Sequence, residues 1–312
     1  MSEDVKAAPR PQQFRRPPRV EINGWINLDK PVGVTSTQAV ARLKRLFNAQ
    51  KVGHAGTLDP LASGVLPIAF GEATKTVPVV QDGAKAYEFV VRWGVQTNTD
   101  DAEGEAVATS EARPSPSEIE AALPSFVGVI SQTPPTFSAI RIAGERAYDL
   151  ARGGEAFEIA SRPVAIHRFA LIAAGRDEAR FEADCGKGAY VRALARDLGR
   201  TLGCLGHVVF LRRLRVGPFH AAAATGLEAA EASPEARAAA LQPVEAGLAE
   251  LPRLAVDRSG AAILRRGQKL LLRGAALPSP GPAYACCFGA PIAFGAIEDG
   301  YFISTRVFNL PL

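Results

Sequence analysis

An α+β fold with a smaller β-rich unit at its C-terminal end is what three features of this 312-residue sequence predict. The first is period-two alternation: Tyr87, Phe89, Val91 and Trp93 share one face of a strand, and residues 163–173 and 179–185 alternate in the same way. The second is helical periodicity, in Ala39, Val40, Leu43, Leu46 and Phe47 and again in Val191, Leu194, Ala195, Leu198 and Leu202. The third is a change of composition: Ala- and Glu-rich sequence after about residue 222 gives way to short strands and Gly/Pro turns over 250–312.

Taken in order, residues 1–20 hold four prolines and five basic residues with almost nothing apolar, which predicts a disordered basic arm. Trp25 to Leu28 reads as a short strand and Asp29-Lys30-Pro31-Val32-Gly33 as the turn after it; Ser36 or Thr37 then caps the first helix. The Gly-rich stretch from Val52 to Gly64 leads into a buried strand, Val65 to Phe70, and Thr74 and Lys75 fall in a short helix. After the Tyr87 strand comes an acidic, turn-rich loop, Thr97 to Gly104, which lacks the Gly and terminal Glu positions of an EF-hand. Ser117-Glu118-Ile119-Glu120 reads as a capping box for a helix to about Leu123. Ile130 to Ile140 runs from a strand through the stiff pair Pro134-Pro135 into another, and Glu145 to Arg152 reads as a helix ended by Gly153-Gly154. Gly186 to Arg192 opens the second amphipathic helix and is no P-loop, because no glycine stands where the motif needs its first one. Leu205 to Phe219 is a strand edged with arginines, and Pro243 and Pro252 break the helical sequence beyond it.

Composition narrows the function classes. Apolar residues at 47% and charged residues at 22% describe an ordinary globular protein, with no apolar run of membrane-spanning length and no secretory h-region, so a soluble, cytoplasmic protein is expected. Cys185, Cys204, Cys286 and Cys287 show no C-x-x-C spacing, and Cys204 with His207 is too little for a metal site. A net charge of +4 is compatible with a polyanionic partner. The arginines cluster early, from Arg10 to Arg19, and late, at Arg212, Arg213 and Arg215.

One stretch stands out for chemistry: Gly53-His54-Ala55-Gly56-Thr57-Leu58-Asp59-Pro60-Leu61-Ala62-Ser63-Gly64. Pro60 drives Asp59 out of the helical region, so the carboxylate sits on stiffened, extended chain between apolar anchors. Alone, such a stretch reads more readily as a structural turn. Arg192 adds a second signal, because a cation in the first helical turn opposes the helix dipole and is often held there by a buried carboxylate.

Read together, these blocks resemble the TruB family, the bacterial tRNA pseudouridine-55 synthases. The likeness runs from about residue 22 to 219. It takes in Asn23-Gly24, Leu28-Asp29-Lys30-Pro31, Gly53 to Gly64, Gly71-Glu72-Ala73-Thr74-Lys75 and Tyr87 ahead of the acidic loop. Pro134-Pro135 with Phe137 to Ile140, Arg146-Ala147-Tyr148, Gly186 to Arg192 and Leu211-Arg212-Arg213 complete it. The resemblance implies a pseudouridine synthase fold: a central mixed or antiparallel sheet flanked by helices over 21–249, with 134–163 as a mobile RNA-binding insertion. It also implies that 250–312 is a PUA-like RNA-binding domain. It makes Asp59 the catalytic carboxylate, Arg192 its ion-pair partner and Tyr87 the ring that stacks on the target base. His54, Tyr190 and Leu211 become substrate contacts, Lys30, Pro31 and Asp101 supports of the active-site loop, and Arg212 and Arg213 contacts to the RNA backbone.

The implied activity is that of an isomerase in tRNA processing, turning uridine into pseudouridine at position 55 of the T loop by base flipping. Such chemistry needs no energy source and no redox step, so neither cofactor nor metal is expected. The expected partner is tRNA, through its T loop and arm, with no membrane and no required protein partner, the chain acting as a monomer. An aspartate shut beneath an everted base would tend to protonate, and a bidentate guanidinium from Arg192 would keep it ionised. Two other readings share parts of the pattern: an RNA-folding helper in which catalysis is incidental or lost, and a sister synthase guided to another RNA by partner proteins. The complete Asp59, Tyr87 and Arg192 set argues against the first. The chain's compactness and lack of a long extra domain argue against the second.

Overall fold

Burial on both faces explains why the early strands read as near-continuous apolar runs. Strand β1 (Gly24–Lys30) sends Trp25 to one core and Ile26 and Leu28 to another, on opposite sides of the sheet. After β2 (Val52–His54), β3 (Ser63–Phe70) divides likewise, with Leu66, Ile68 and Phe70 in one core and Val65 and Ala69 in the other. The protein is seen here as a computed structural model that describes residues 18–138, 140–142, 145–146, 157, 159–272 and 279–311.

Strand β4 (Lys85–Trp93) carries the predicted alternation, with Phe89, Val91 and Trp93 at 1% exposure or less. A small hairpin, β5 (Val95–Thr97) and β6 (Ala106–Thr109), brackets the acidic loop, and β7 (Gly128–Gln132) follows. A second hairpin pairs β8 (Arg141–Ile142) with β9 (Glu145–Arg146). The long strands β10 (Arg162–Ala174), β11 (Glu178–Cys185) and β12 (Gly206–Val216) come next, then the short β13 (Phe219–His220) and β14 (Thr225–Gly226). Together they form a ten-stranded sheet in the order β14-β1-β3-β12-β4-β11-β10-β7, with β2 on β3 and β13 on β12. Pairing is antiparallel except where β1 meets β14 and β3 meets β12. The β3–β12 contact sets Gly64 opposite Arg213, and Arg213 is in turn opposite Tyr87 of β4, so three site positions lie in one row across the sheet.

Several local expectations shift. The first helix, Ser36–Leu46, is capped by Thr35, whose hydroxyl accepts from the Gln38 N–H, not by Ser36 or Thr37. Ser36 faces inward to another task. The capping box of helix Pro116–Ala122 belongs to Ser115 with Glu118, two residues before the expected start. Glu145 and Arg146 lie in a strand, not a helix, and the remainder of that predicted helix lies outside the described residues. The same is true of most of the expected basic arm. Its last residues are ordered, with Val20 exchanging backbone hydrogen bonds with Asn48 and Gln50.

Beyond residue 250 a separate five-stranded sheet forms, built from β15 (Arg253–Ala255), β16 (Leu270–Leu271), β17 (Gly281–Cys287), β18 (Ala290–Glu298) and β19 (Tyr301–Val307). An amphipathic helix, Arg258–Arg265, packs on it; the emphasis on strands missed it, although Asp257 caps it through the Gly260 N–H. The unit has its own core, yet Phe294 and Phe308 join Trp25, Val65 and Ala69 in a core shared with the main sheet. The composition break near 250 is therefore not a break in packing. Among the described residues, no helix is long and apolar enough to cross a membrane.

Candidate active site

The Asp59 loop leaves the sheet at His54 and returns at Ser63, and groups from three other segments pin it. Ser36 clasps Leu58 twice, accepting from its N–H at 2.9 Å and donating to its carbonyl at 3.0 Å. The Lys30 ammonium, fully buried, donates to the carbonyls of Val34 (2.7 Å), Pro31 (2.9 Å) and Pro60 (3.4 Å). Burial lowers the Lys30 pKa to about 8, although Asp59 nearby pulls it upward. Arg213 donates to the carbonyls of Val65, Thr57 and Gly56 at 2.7, 3.2 and 3.1 Å. At the exit, Gly64 has φ +101°, and a Cβ there would stand 2.2 Å from the Arg213 carbonyl oxygen, so only glycine fits.

Arg192 arrives from the first turn of helix Val191–Thr201, which has no acidic residue in that turn and no side-chain cap. Its charge is answered from outside the helix. Nε lies 3.0 Å from Asp59 Oδ2, and NH1 lies 3.4 Å from Asp101 Oδ2. NH1 and NH2 donate to the carbonyls of Thr99 and Phe137. The Arg192 side chain is 5% exposed and that of Asp59 34%, so a nearly buried cation steadies a carboxylate that still faces open space. The expected bidentate fork does not form, because both terminal nitrogens are committed elsewhere; Asp59 is held through Nε.

Asp101 reinforces this arrangement, accepting from the Thr99 hydroxyl and the Glu103 N–H, and burial pushes its pKa upward. One helical turn beyond Arg192, Arg196 repeats the motif: it meets Asp100 at 2.9 Å and donates to the Thr133 carbonyl at 2.7 Å. Asp100 adopts φ +61° to point that way. The two arginines thus fasten the acidic loop and the start of the 134–163 segment to one helix.

Asp59 and Arg192 border two cavities. One, about 280 Å³, is lined by Tyr87, Tyr190 and Leu211 among others, and the other, about 380 Å³, by Thr99, Asp101 and Glu103. Tyr87 comes from β4, where burial pushes its hydroxyl up to about 12 while the facing Arg213 opposes the shift. Tyr190 is fixed by a reciprocal amide clasp: its N–H donates to Gln132 Oε1 at 2.8 Å and its carbonyl accepts from Gln132 Nε2 at 3.2 Å. Leu211 is buried on β12.

Of the residues singled out in the sequence, Asp59, Arg192, Tyr87, Tyr190 and Leu211 meet at one cavity, with Lys30, Pro31 and Asp101 behind it. His54, at the end of β2, lines neither cavity. Arg212 and Arg213, expected on the RNA backbone, are engaged within the protein. Arg212 makes two hydrogen bonds to Asp29, and Arg213, 2% exposed, holds the Asp59 loop. Sequence reading missed Ser36, Lys85, Gln132 and the Asp100–Arg196 pair. For the last a signal existed: adjacent aspartates opposite arginines at i and i+4.

Comparison with known proteins identifies the family. Residues 44–191 match the family described as TruB family pseudouridylate synthase (N terminal domain), and residues 192–249 match the tRNA pseudouridylate synthase B C-terminal domain. The chain is 56% identical over 307 residues to tRNA pseudouridine synthase B of Bradyrhizobium diazoefficiens, covering 96% of this chain and 89% of that one. It is 54% identical to the protein of the same name from Agrobacterium fabrum, covering 96% and 99%. Among solved structures, an H/ACA RNP bound to a substrate RNA containing 2'-deoxyuridine superposes with a TM-score of 0.71 at 24% identity, over 92% of this chain and 85% of that one. The last likeness concerns the fold alone, the pseudouridine synthase sheet with a β-rich C-terminal unit of the PUA-like kind. The chain belongs to the TruB family of pseudouridylate synthases, isomerases that convert uridine to pseudouridine in tRNA.

Proposed function

We propose that this protein converts the uridine at position 55 of the tRNA T loop to pseudouridine by everting it into the Tyr87–Tyr190–Leu211 cavity, with Asp59 as the catalytic carboxylate. The observation that carries this reading is the Asp59–Arg192 pair, 3.0 Å apart, on the wall of a cavity that Tyr87 also lines. In the reaction the N1–C1′ bond breaks, the uracil turns in place, and the C5–C1′ bond forms. The C5 proton leaves and N1 takes one up, so atoms balance without any co-reactant. Asp59 could act by attack on C1′, by addition to the base, or by removing a ribose proton to give a glycal. All three need one ionised carboxylate within bonding distance of the sugar, and a loop pinned by Lys30, Ser36 and Arg213 meets that need. Tyr87 offers the face that replaces lost base stacking. Residues 250–312 serve as an added RNA-binding unit, and the chain acts alone on the T arm.

The test is tritium release from [5-³H]uridine-labelled tRNA transcript. The wild type releases label, Asp59→Asn releases none, and the variant still binds the transcript. Release by Asp59→Asn at the wild-type rate would remove Asp59 from the chemistry. A transcript with a disrupted T loop that competes as well as the intact one would remove loop recognition.

A further inference from the structure

The cavity beside Asp59 has one nearly buried charged lining residue to which neither the mechanism nor the loop scaffold gives a task. Lys85, first residue of β4 and two positions before Tyr87, is about 9% exposed and lines the same cavity. Its ammonium donates to the carbonyls of Gln81 and Gly83, the latter at 2.6 Å, which fixes its direction and leaves one of its three N–H donors over. Among the described residues it forms no ion pair, and burial lowers its pKa. The other cations of this cavity all have work inside the protein. Arg192 holds Asp59, Arg213 holds the loop, and Lys187 pairs with Asp82 at 3.0 Å. Four cations therefore face one carboxylate across the cavity. Arg213 spends its guanidinium on three loop carbonyls, whereas among the described residues Lys85 has neither an ion pair nor an acceptor for its third N–H.

A nearly buried ammonium without a carboxylate is unfavourable until an anion reaches it. Uracil and ribose are neutral, so the only anions an everted nucleotide brings are its two flanking phosphates. We infer that Lys85 is a phosphate-binding residue, whose free N–H receives a phosphate adjoining the everted uridine and so fixes how deeply the nucleotide enters beside Tyr87 and Asp59. The inference rests on the proposed reaction. It assigns Lys85 a role in substrate placement and none in bond cleavage.

The experiment uses T-loop stem-loop RNAs carrying a neutral methylphosphonate in place of the phosphate either 5′ or 3′ of the target uridine, with wild type, Lys85→Met and Lys85→Arg. In the wild type one neutral linkage weakens binding by about tenfold or more, as loss of a charge-assisted hydrogen bond should. Lys85→Met weakens binding of the unmodified RNA by a similar factor, is insensitive to that linkage, and lowers the slope of log affinity against log salt by about 0.7–0.9. Lys85→Arg keeps most of the slope. The single-turnover rate at saturating RNA changes less than the affinity does. Wild-type affinity indifferent to both neutral linkages overturns the inference even if the variants fail to fold; so does a Lys85→Met protein with the wild-type slope. Failure of the wild type to form pseudouridine in the unmodified RNA would instead overturn the reading of the reaction.

Discussion

The two cavities that meet at the Asp59–Arg192 pair are mirror images in charge. The one containing Tyr87 is lined by Lys85, Lys187, Arg192 and Arg213 against the single carboxylate of Asp59. The one containing Thr99 is lined by Asp59, Asp101, Glu103 and Glu105 against the single guanidinium of Arg192. On the acidic side burial pushes Asp101 and Glu103 upward. A polyanion is drawn to the first cavity and repelled by the second. The asymmetry points to a division of labour in the proposed reaction: the cationic side would receive the nucleotide, while the acidic side keeps Arg192 in place.

Arg192 belongs to both sides, and its loss should break the contrast altogether. Arg192→Ala strands two carboxylates, and breaking such a buried pair costs about 3–5 kcal/mol. We expect kcat to fall by about 10²- to 10³-fold, measured by single-turnover tritium release with urea unfolding run alongside. A variant within tenfold of wild type would mean that the pair is only scaffolding. The next effect separates the two walls. Tyr87→Ala should lose about 1–3 kcal/mol of stacking, read as slower turnover and weaker binding, whereas Glu103→Gln on the opposite wall should change either by less than about twofold. Equal losses from both would mean that RNA occupies both cavities.

The smallest effect concerns the support behind the walls. Lys30 has its pKa lowered to about 8, so between there and its ordinary value of 10.5 the unfolded chain binds more protons than the folded one. Its contribution therefore makes stability rise with pH across that window, the cost of burying the charge being full below pH 8. Urea midpoints measured from pH 7.5 to 10.5 should climb more in wild type than in Lys30→Met. Parallel curves would show that folding does not lower the Lys30 pKa.

Much of this site could be read before any coordinates. Asp59, Arg192 and Tyr87 lie in motif blocks whose order carries the likeness, and the misplaced charge of Arg192 in a first helical turn already called for an external carboxylate. The charge of Arg192 in a first helical turn is open to an exposed reading as well, and the family likeness favours the carboxylate. What could not be read follows from geometry. Arginines on a strand alternate sides, and sequence does not say that the guanidinium of Arg213 turns inward to three carbonyls. Thr35 and Ser36 are both good helix caps, and which one caps was decided by Leu58, whose backbone claims Ser36. Lys85 reads as an ordinary strand-edge lysine until the turn over Gln81–Gly83 folds back onto its ammonium. Phe294 and Phe308 lie beyond a composition break, and only tertiary packing joins them to Trp25.

The parallel contact of β3 with β12 has one last consequence. Because Gly64 is seated directly against the Arg213 backbone, with no space even for a methyl group, the segment bearing the acid is fused to the platform behind it. With Leu58 and Pro60 also held from outside the loop, that segment is tied at three points. In the proposed reaction the travel that brings sugar and carboxylate together would then fall to the polynucleotide, so the ease with which a given uridine swings out of its helix should rank substrates.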